Sequence, residues 1–397
     1  MISYSFFPTL LSSFSLGPLK LINRIVHTPV VTRLENEDGT VTPLLKERVL
    51  RITKGGVGYF ILGAAGVIDK RSGPLLKICD DRFIPGLAEL VKEVHGETDS
   101  KIGLQIVHFL KLAKTGYRQK VEDLVSEEIQ EIIEAMVQAA VRVRKAGFDA
   151  VEWDAESGMT LSSLLSLLNK RRDGYGGNVE NRLRIVLEIL KQTRREVGDD
   201  FVIGARINGD DFVLGGTTLK QSTVIARRLA EEGVDYISVS CGGKFEDAIP
   251  QPGKPLDCYS GYSGKRCWPR WYMPDATNAY LAEAIKKEVN RVGLQTPIIT
   301  AGKIPYPALA EEILQGGKAD LIGLARALLC DPEWPKKTSE GREGEIVRCI
   351  YCDHCSNCDR NFEPVVCFQW PKGSFNAPVE WTPKKSQFTS PIQREDE

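Results

Sequence analysis

The chain has 397 residues, enough for one large α/β domain or two ordinary ones, and its 42% hydrophobic content can fill a sizeable core. A net charge of −1 sets up no global field that would call for nucleic acid or an acidic membrane surface. The opening MISYSFFPTLLSSFSLG has no basic leader and no small-residue cleavage site, and no apolar run reaches spanning length, so a reducing cytoplasmic setting without a membrane span is expected.

Short apolar, β-rich runs alternate with helical patterns along the chain. The runs cover residues 25–31, 58–64, 102–107, 150–153, 201–207, 236–240, 297–300 and 319–323. Amphipathic segments lie between most of them, at 127–145, 180–196, 219–232, 276–291 and 306–315, with Ser126 expected as an N-cap. Runs followed by helices imply parallel strands with right-handed crossovers, and eight such units predict a (β/α)8 TIM barrel over 1–340. A doubly wound open sheet is the alternative, lowered by the lack of a G-x-G-x-x-G after the first run. The loop 241–274 carries Tyr259, Tyr262, Trp268, Trp271 and Tyr272 among glycines and prolines. In a barrel, a loop after a strand builds the active-site face, so this one reads as a substrate lid or a packed surface loop.

Segment 341–371 holds Cys349, Cys352, Cys355, Cys358 and Cys367, three C-x-x-C steps and one distant partner. Thiolates at this spacing hold soft metal, and a run with one remote fourth ligand is the pattern of a cubane [4Fe-4S] cluster. Four thiolates also suit zinc, which would make the chain a zinc-stabilised structural barrel. The tail 372–397, rich in Pro, Lys, Ser and Glu, reads as a docking arm or as disordered.

The strand ends form a recognisable series. Asn23-Arg24-Ile25-Val26 leads to Thr28-Pro29, and Gln105 lies near the end of the third run. Gly147-Phe148-Asp149-Ala150-Val151-Glu152 precedes Asn169-Lys170-Arg171-Arg172-Asp173, Tyr175-Gly176-Gly177 and Glu180-Asn181-Arg182. Ala319-Asp320-Leu321-Ile322-Gly323-Leu324-Ala325-Arg326 closes it. Over roughly residues 5–370 this resembles the old yellow enzyme superfamily of FMN-binding barrels. With the cysteine run it is most similar to the cluster-containing branch that includes 2,4-dienoyl-CoA reductase and trimethylamine dehydrogenase.

The resemblance implies FMN, with Thr28, Pro29 and Ala64 along the ring, Gln105 on its pyrimidine edge and Arg206 beside N1. Gly302, Ala325 and Arg326 would hold the phosphate. Elementary chemistry agrees: a glycine admits a backbone approach, an arginine is a fixed cation, and a glutamine amide both donates and accepts. For the cluster it implies Cys349, Cys352, Cys355 and Cys367, with Cys358 as a spare able to replace Cys355.

The pattern also breaks. Relatives place a pair of His or His/Asn after the fourth strand and then a proton-donating tyrosine; here Asp154, Ser157 and Met159 stand there, and Phe245 replaces a later histidine. Val31 falls where a cysteine would anchor flavin covalently. Proton transfer is therefore expected of Asp154, His108 or the loop tyrosines Tyr259 and Tyr262, and Asp154 with Glu156 would suit a cationic substrate. No glycine fingerprint for a second dinucleotide appears. The expected partners are a small-molecule substrate and an electron-transfer protein or NAD(P)H-oxidising flavoprotein subunit. An electron-transfer subunit without its own substrate, and assembly as a homo-oligomer, are compatible with the same residues.

Overall fold

The computed structural model describes residues 6–70, 73–114, 117–246, 248 and 267–379. A hairpin of Phe14–Leu16 (β1) and Leu19–Leu21 (β2) turns at Gly17, whose φ of +55° suits glycine. Eight parallel strands follow: Ile25–His27 (β3), Tyr59–Gly66 (β4), Lys101–Val107 (β5), Ala150–Ala155 (β6), Val202–Asn208 (β7), Tyr236–Ser240 (β8), Ile298–Ala301 (β9) and Leu321–Leu324 (β10). They pair in chain order, and β10 returns to β3 to close the (β/α)8 barrel.

Each predicted run forms a strand because it is buried on both faces, against helices outside and the barrel interior inside. The first strand is shorter than expected. Thr28 still donates to the Leu324 carbonyl at 3.1 Å, but Pro29 has no N–H and the ladder stops there. Helices Ser126–Lys145, Val179–Val197, Leu219–Glu231, Ala279–Arg291 and Pro307–Gln315 match the amphipathic segments. Ser126 is not the N-cap. The Glu128 carboxylate accepts from Val125 N–H at 3.0 Å, which makes Val125 the cap and Ser126 the first helical residue. The fourth of these helices begins late because Ala276 has a φ of +52°. Helices Pro43–Thr53 and Ile84–Glu97 complete the first two crossovers.

The main core lies between strands and helices. A second, inside the barrel, is closed from below by Leu16 and Leu21 of the hairpin, packed with Val26, Tyr59, Tyr236 and Leu321. Among the described residues no helix is long and apolar enough to cross a membrane.

The cysteine segment, with its short helix His354–Arg360, packs on the barrel rather than trailing from it. Val30 and Leu329 from the barrel meet Cys355, Cys358, Val365, Trp370 and Ala377. Arg48, on helix Pro43–Thr53, is the charged clamp beneath. It donates to the Val365 carbonyl at 3.1 Å, to Asn376 Oδ1 at 2.6 Å and to the Phe375 carbonyl, and its guanidinium lies 4.9 Å from the Trp370 ring. Residues 372–379 of the tail are thus docked; 380–397 lie outside the described residues. Replacing Arg48 by Leu leaves buried carbonyls without donors, at about 1–3 kcal/mol each. The expected outcome is a lower denaturation midpoint together with protease cleavage between the barrel and residue 365. Unchanged protease resistance would show that the apolar contacts alone hold the segment.

Candidate active site

The mouth at the C-terminal ends of the strands holds two joined cavities that share Pro29, Val30, Glu156 and Trp268. The smaller, about 80 Å³, is walled by Thr28, Arg206, Gly302, Lys303, Ala325, Arg326 and Tyr351 among others. The larger, about 300 Å³, takes in Ala64, Gln105, Asp154, Ser157 and Met159. All eight residues expected to hold a cofactor therefore face one continuous space. Ala64, Gln105 and Arg206 lie within strands near their C-terminal ends, and the other five follow directly after strand ends, so all gather at the face where a barrel builds its site.

At one end, Gly302 has a φ of +118°, and a Cβ there would stand 2.6 Å from Asn278 Nδ2, so the position accepts only a bare backbone. Arg326 is buried. Its Nη2 donates to the Pro269 carbonyl at 2.7 Å, while Nη1 has no hydrogen-bond partner and is 3.5 Å from Asp353 Oδ1. A buried guanidinium whose Nη1 makes only a 3.5 Å ion pair, on the same cavity wall as a bare glycine backbone, suits an anionic phosphate. The residues present therefore fit the phosphate end of FMN.

At the other end, β6 places Glu152 and Asp154 on one face, and Glu156 follows directly after the strand. The sequence reading missed Glu152; its two-residue spacing from Asp154 was the available signal. Across from them Arg206 of β7 is buried, with Nη1 on Ser238 Oγ at 2.8 Å and Nε 3.6 Å from Glu156 Oε1. Burial opposes the guanidinium charge, but Glu156, Glu152 and Asp154 together hold its pKa above the ordinary value. Glu156 also accepts from Ser240 Oγ at 2.6 Å and from Ser157 Oγ. Burial, then the Glu156 charge, pushes the Asp154 carboxyl well above the usual carboxylate range, which favours its protonated form at the cavity wall.

His108 is placed differently from the other candidates. It is absent from the lining of both cavities, and its Nδ1 sits 3.0 Å from Thr160 Oγ1. Burial, with Lys70 nearby, lowers its pKa to about 4, so the ring is neutral. Tyr259 and Tyr262 lie outside the described residues. Phe245 is buried and lines a neighbouring cavity that shares Leu110 and Arg118 with the larger one. Trp268, of the loop read as a lid or packed surface loop, and Tyr351, which no sequence signal marked, close the mouth: Arg326 lies 5.7 Å from the first ring centroid and 4.8 Å from the second.

Cys349, Cys352, Cys355 and Cys367 line one small cavity, about 20 Å³, whose wall includes Arg326 and Tyr351 of the cofactor cavity. Cys358 is not part of that lining; its sulfur is 3.7 Å from His354 Nε2. Among the described residues no three His, Cys, Asp or Glu side chains close to the spacing that holds a single ion. Cys330, unmarked by the sequence reading, lies beside Cys367, and its Sγ accepts from Gln369 Nε2 at 3.1 Å.

The profile of the NADH:flavin oxidoreductase / NADH oxidase family matches residues 9–345. The chain belongs to that family. Its FMN-binding barrels form the old yellow enzyme superfamily of flavin-dependent oxidoreductases, and this chain is of that type. It is 36% identical to an NADH oxidase of Thermoanaerobacter brockii over 87% of this chain and 53% of that protein. It is 34% identical to a metal reductase of Desulforamulus reducens over 94% of this chain and 55% of that one. The chain thus spans about half the length of these curated relatives. Histamine dehydrogenase from Rhizobium sp. 4-9 shares the fold, with a TM-score of 0.78 at 21% identity over 92% of this chain and 52% of that one.

A Gly302→Ala substitution tests the phosphate end. The strained φ costs about 1–3 kcal/mol, and the methyl displaces Asn278. A fall in melting temperature with weaker FMN retention is expected. Retention equal to the parent's would place the phosphate elsewhere.

Proposed function

We propose that this barrel is an FMN- and [4Fe-4S]-dependent oxidoreductase that exchanges two electrons with a small-molecule substrate at the mouth and single electrons with a partner protein through the cysteine segment. The observation that carries the reading is the shared wall: Arg326 and Tyr351 line both the cofactor cavity and the four-cysteine cavity. A flavin site and a cluster site separated by one layer of side chains suit electron exchange between them.

Arg326, Ala325 and Gly302 would hold the FMN phosphate, Gln105 its pyrimidine edge, Arg206 the N1 side, and Thr28, Pro29 and Ala64 the ring. When bound, FMN supplies both hydride and single-electron exchange. The chain's own residues do the rest. Trp268 shields the mouth from water, and Arg206 offers a fixed positive charge. Asp154 presents a protonated carboxyl to the larger cavity, where Met159 has no proton to give. The carboxyl is the proton donor in this reading. His108, neutral and turned to Thr160, supports the wall.

Cluster rather than zinc is supported by the sequence spacing, three C-x-x-C steps with one remote partner, which is the cubane pattern. The names of the relatives, an NADH oxidase and a metal reductase, fit a protein that passes electrons onward.

Anaerobic purification with flavin, iron and sulfide analysis tests the whole reading. FMN should be released by acid, since Val31 provides no covalent anchor, with about four iron and four sulfide per chain. Cys349→Ala, Cys352→Ala and Cys367→Ala should lose the iron while Cys358→Ala keeps it. Stoichiometric zinc without sulfide would refute the cluster.

Once a substrate is in hand, Asp154→Asn should lower turnover by about a hundredfold to ten-thousandfold with FMN still bound, and His108→Ala by much less. Full turnover in Asp154→Asn would move the proton donor elsewhere and favour an electron-transfer subunit without its own substrate.

A further inference from the structure

Below the mouth, buried polar groups run from the barrel core to the cofactor cavity. Tyr59 of β4 and Tyr236 of β8 meet hydroxyl to hydroxyl at 3.2 Å, with rings edge to face. Glycines on the neighbouring strands make room for them. A Cβ on Gly103 would stand 2.2 Å from Tyr59 Oη, and one on Gly204 2.0 Å from Tyr236 Cζ. Next in line is Glu152, with no exposed surface. Its Oε1 accepts from Gln105 Nε2 at 2.9 Å, and the Tyr236 hydroxyl lies against the same carboxyl group. Gln105 itself lines the larger cavity.

A carboxyl group and an amide can pair in two ways. A Glu152 carboxylate only accepts, so it takes Nε2 and leaves Oε1, an acceptor, for whatever occupies the cavity. A protonated Glu152 can donate to Oε1 and so free Nε2, a donor. Tyr59, Gln105, Asp154, Glu156, Arg206 and Tyr236 face Glu152 from β4, β5, β6, β7 and β8. Burial pushes its pKa up to about 7, against the pull of Arg206 and of the Gln105 and Tyr236 contacts. Both forms are therefore accessible near neutrality.

We propose that Glu152 is a positioning residue: by holding or releasing a proton it sets whether Gln105 offers an acceptor or a donor to the pyrimidine edge of the cofactor. The inference rests on the FMN reading of the mouth. An acceptor there suits the N3–H of the ring, whereas a donor favours the electron-rich reduced ring. The bound potential thus depends on a proton carried by a residue that never touches substrate.

FMN-loaded parent, Glu152→Gln, Gln105→Leu and Asp154→Asn proteins would be titrated from about pH 5.5 to about 8.5. The absorption of the oxidised flavin and its midpoint potential, poised with dithionite and mediators, are read at each pH. The parent should show a one-proton inflection near neutrality in both readouts. Glu152→Gln and Gln105→Leu should lose it with FMN still bound, while Asp154→Asn keeps it. A flat parent titration, or an inflection that survives in Glu152→Gln or Gln105→Leu, overturns the proposal. So does one that disappears only in Asp154→Asn, which would assign the titration to that carboxyl. If Glu152→Gln does not fold, Gln105→Leu alone decides. A parent that binds no FMN overturns the cofactor reading as well, which separates the two failures.

Discussion

Arg206 is a guanidinium buried at the mouth of the barrel, and the chemistry of the site is organised around keeping it there. A lone buried cation would cost several kcal/mol, so the neighbouring strand supplies carboxyls. Three are more than one cation needs. Glu156 takes the ion pair, at 3.6 Å, and is itself steadied by Ser240. Asp154, next to that charge and buried, favours its protonated form. Glu152, deeper and bonded to Gln105, is poised near neutrality. The carboxyls at 152, 154 and 156 thus stand in different settings, shaped by burial and by the charges around each.

The second arginine with comparable reach is Arg326. It stands at the boundary between two cavities and faces the cofactor space on one side and the cysteines on the other. Asp353, inside the cysteine run, is 2.8 Å from Arg270 and 3.5 Å from Arg326. The loop that covers the cofactor space and the loop that carries the thiols are therefore joined through one carboxylate. On the far side, Arg48 clamps the backbone around Cys367. The cysteine segment is held between charged groups rooted in the barrel, so the geometry of its thiols depends on the barrel being folded.

Much of this was legible in the residues. The eight strands could be read because a strand buried on both faces is a short continuous apolar run, and the helices between them repeat at helical spacing. Gln105, Arg206, Gly302 and Arg326 could be singled out because each sits at the end of such a run. The acid ladder was half seen. Asp154 and Glu156 attracted notice where a familiar pattern was broken, while Glu152 was passed over as part of a strand. His108 stands off the cavity: Gln105 and Val107 face it, and the next residue along turns to Thr160.

The sequence by itself determined the barrel, its strand order and the residue types gathered at its mouth, because these follow from local periodicity and from the rule that alternate strand residues share a face. Spacing marked the five-cysteine run, and the family resemblance pointed within it to the four cysteines that share a cavity. Only the tertiary structure decided which carboxyl keeps a proton, that Trp268 and Tyr351 enclose Arg326, that Cys330 lies beside Cys367, and that Arg48 anchors a segment more than three hundred residues away. Those features depend on burial and on contacts between strands, helices and loops far apart in the chain, and such distances are absent from any local pattern of residues.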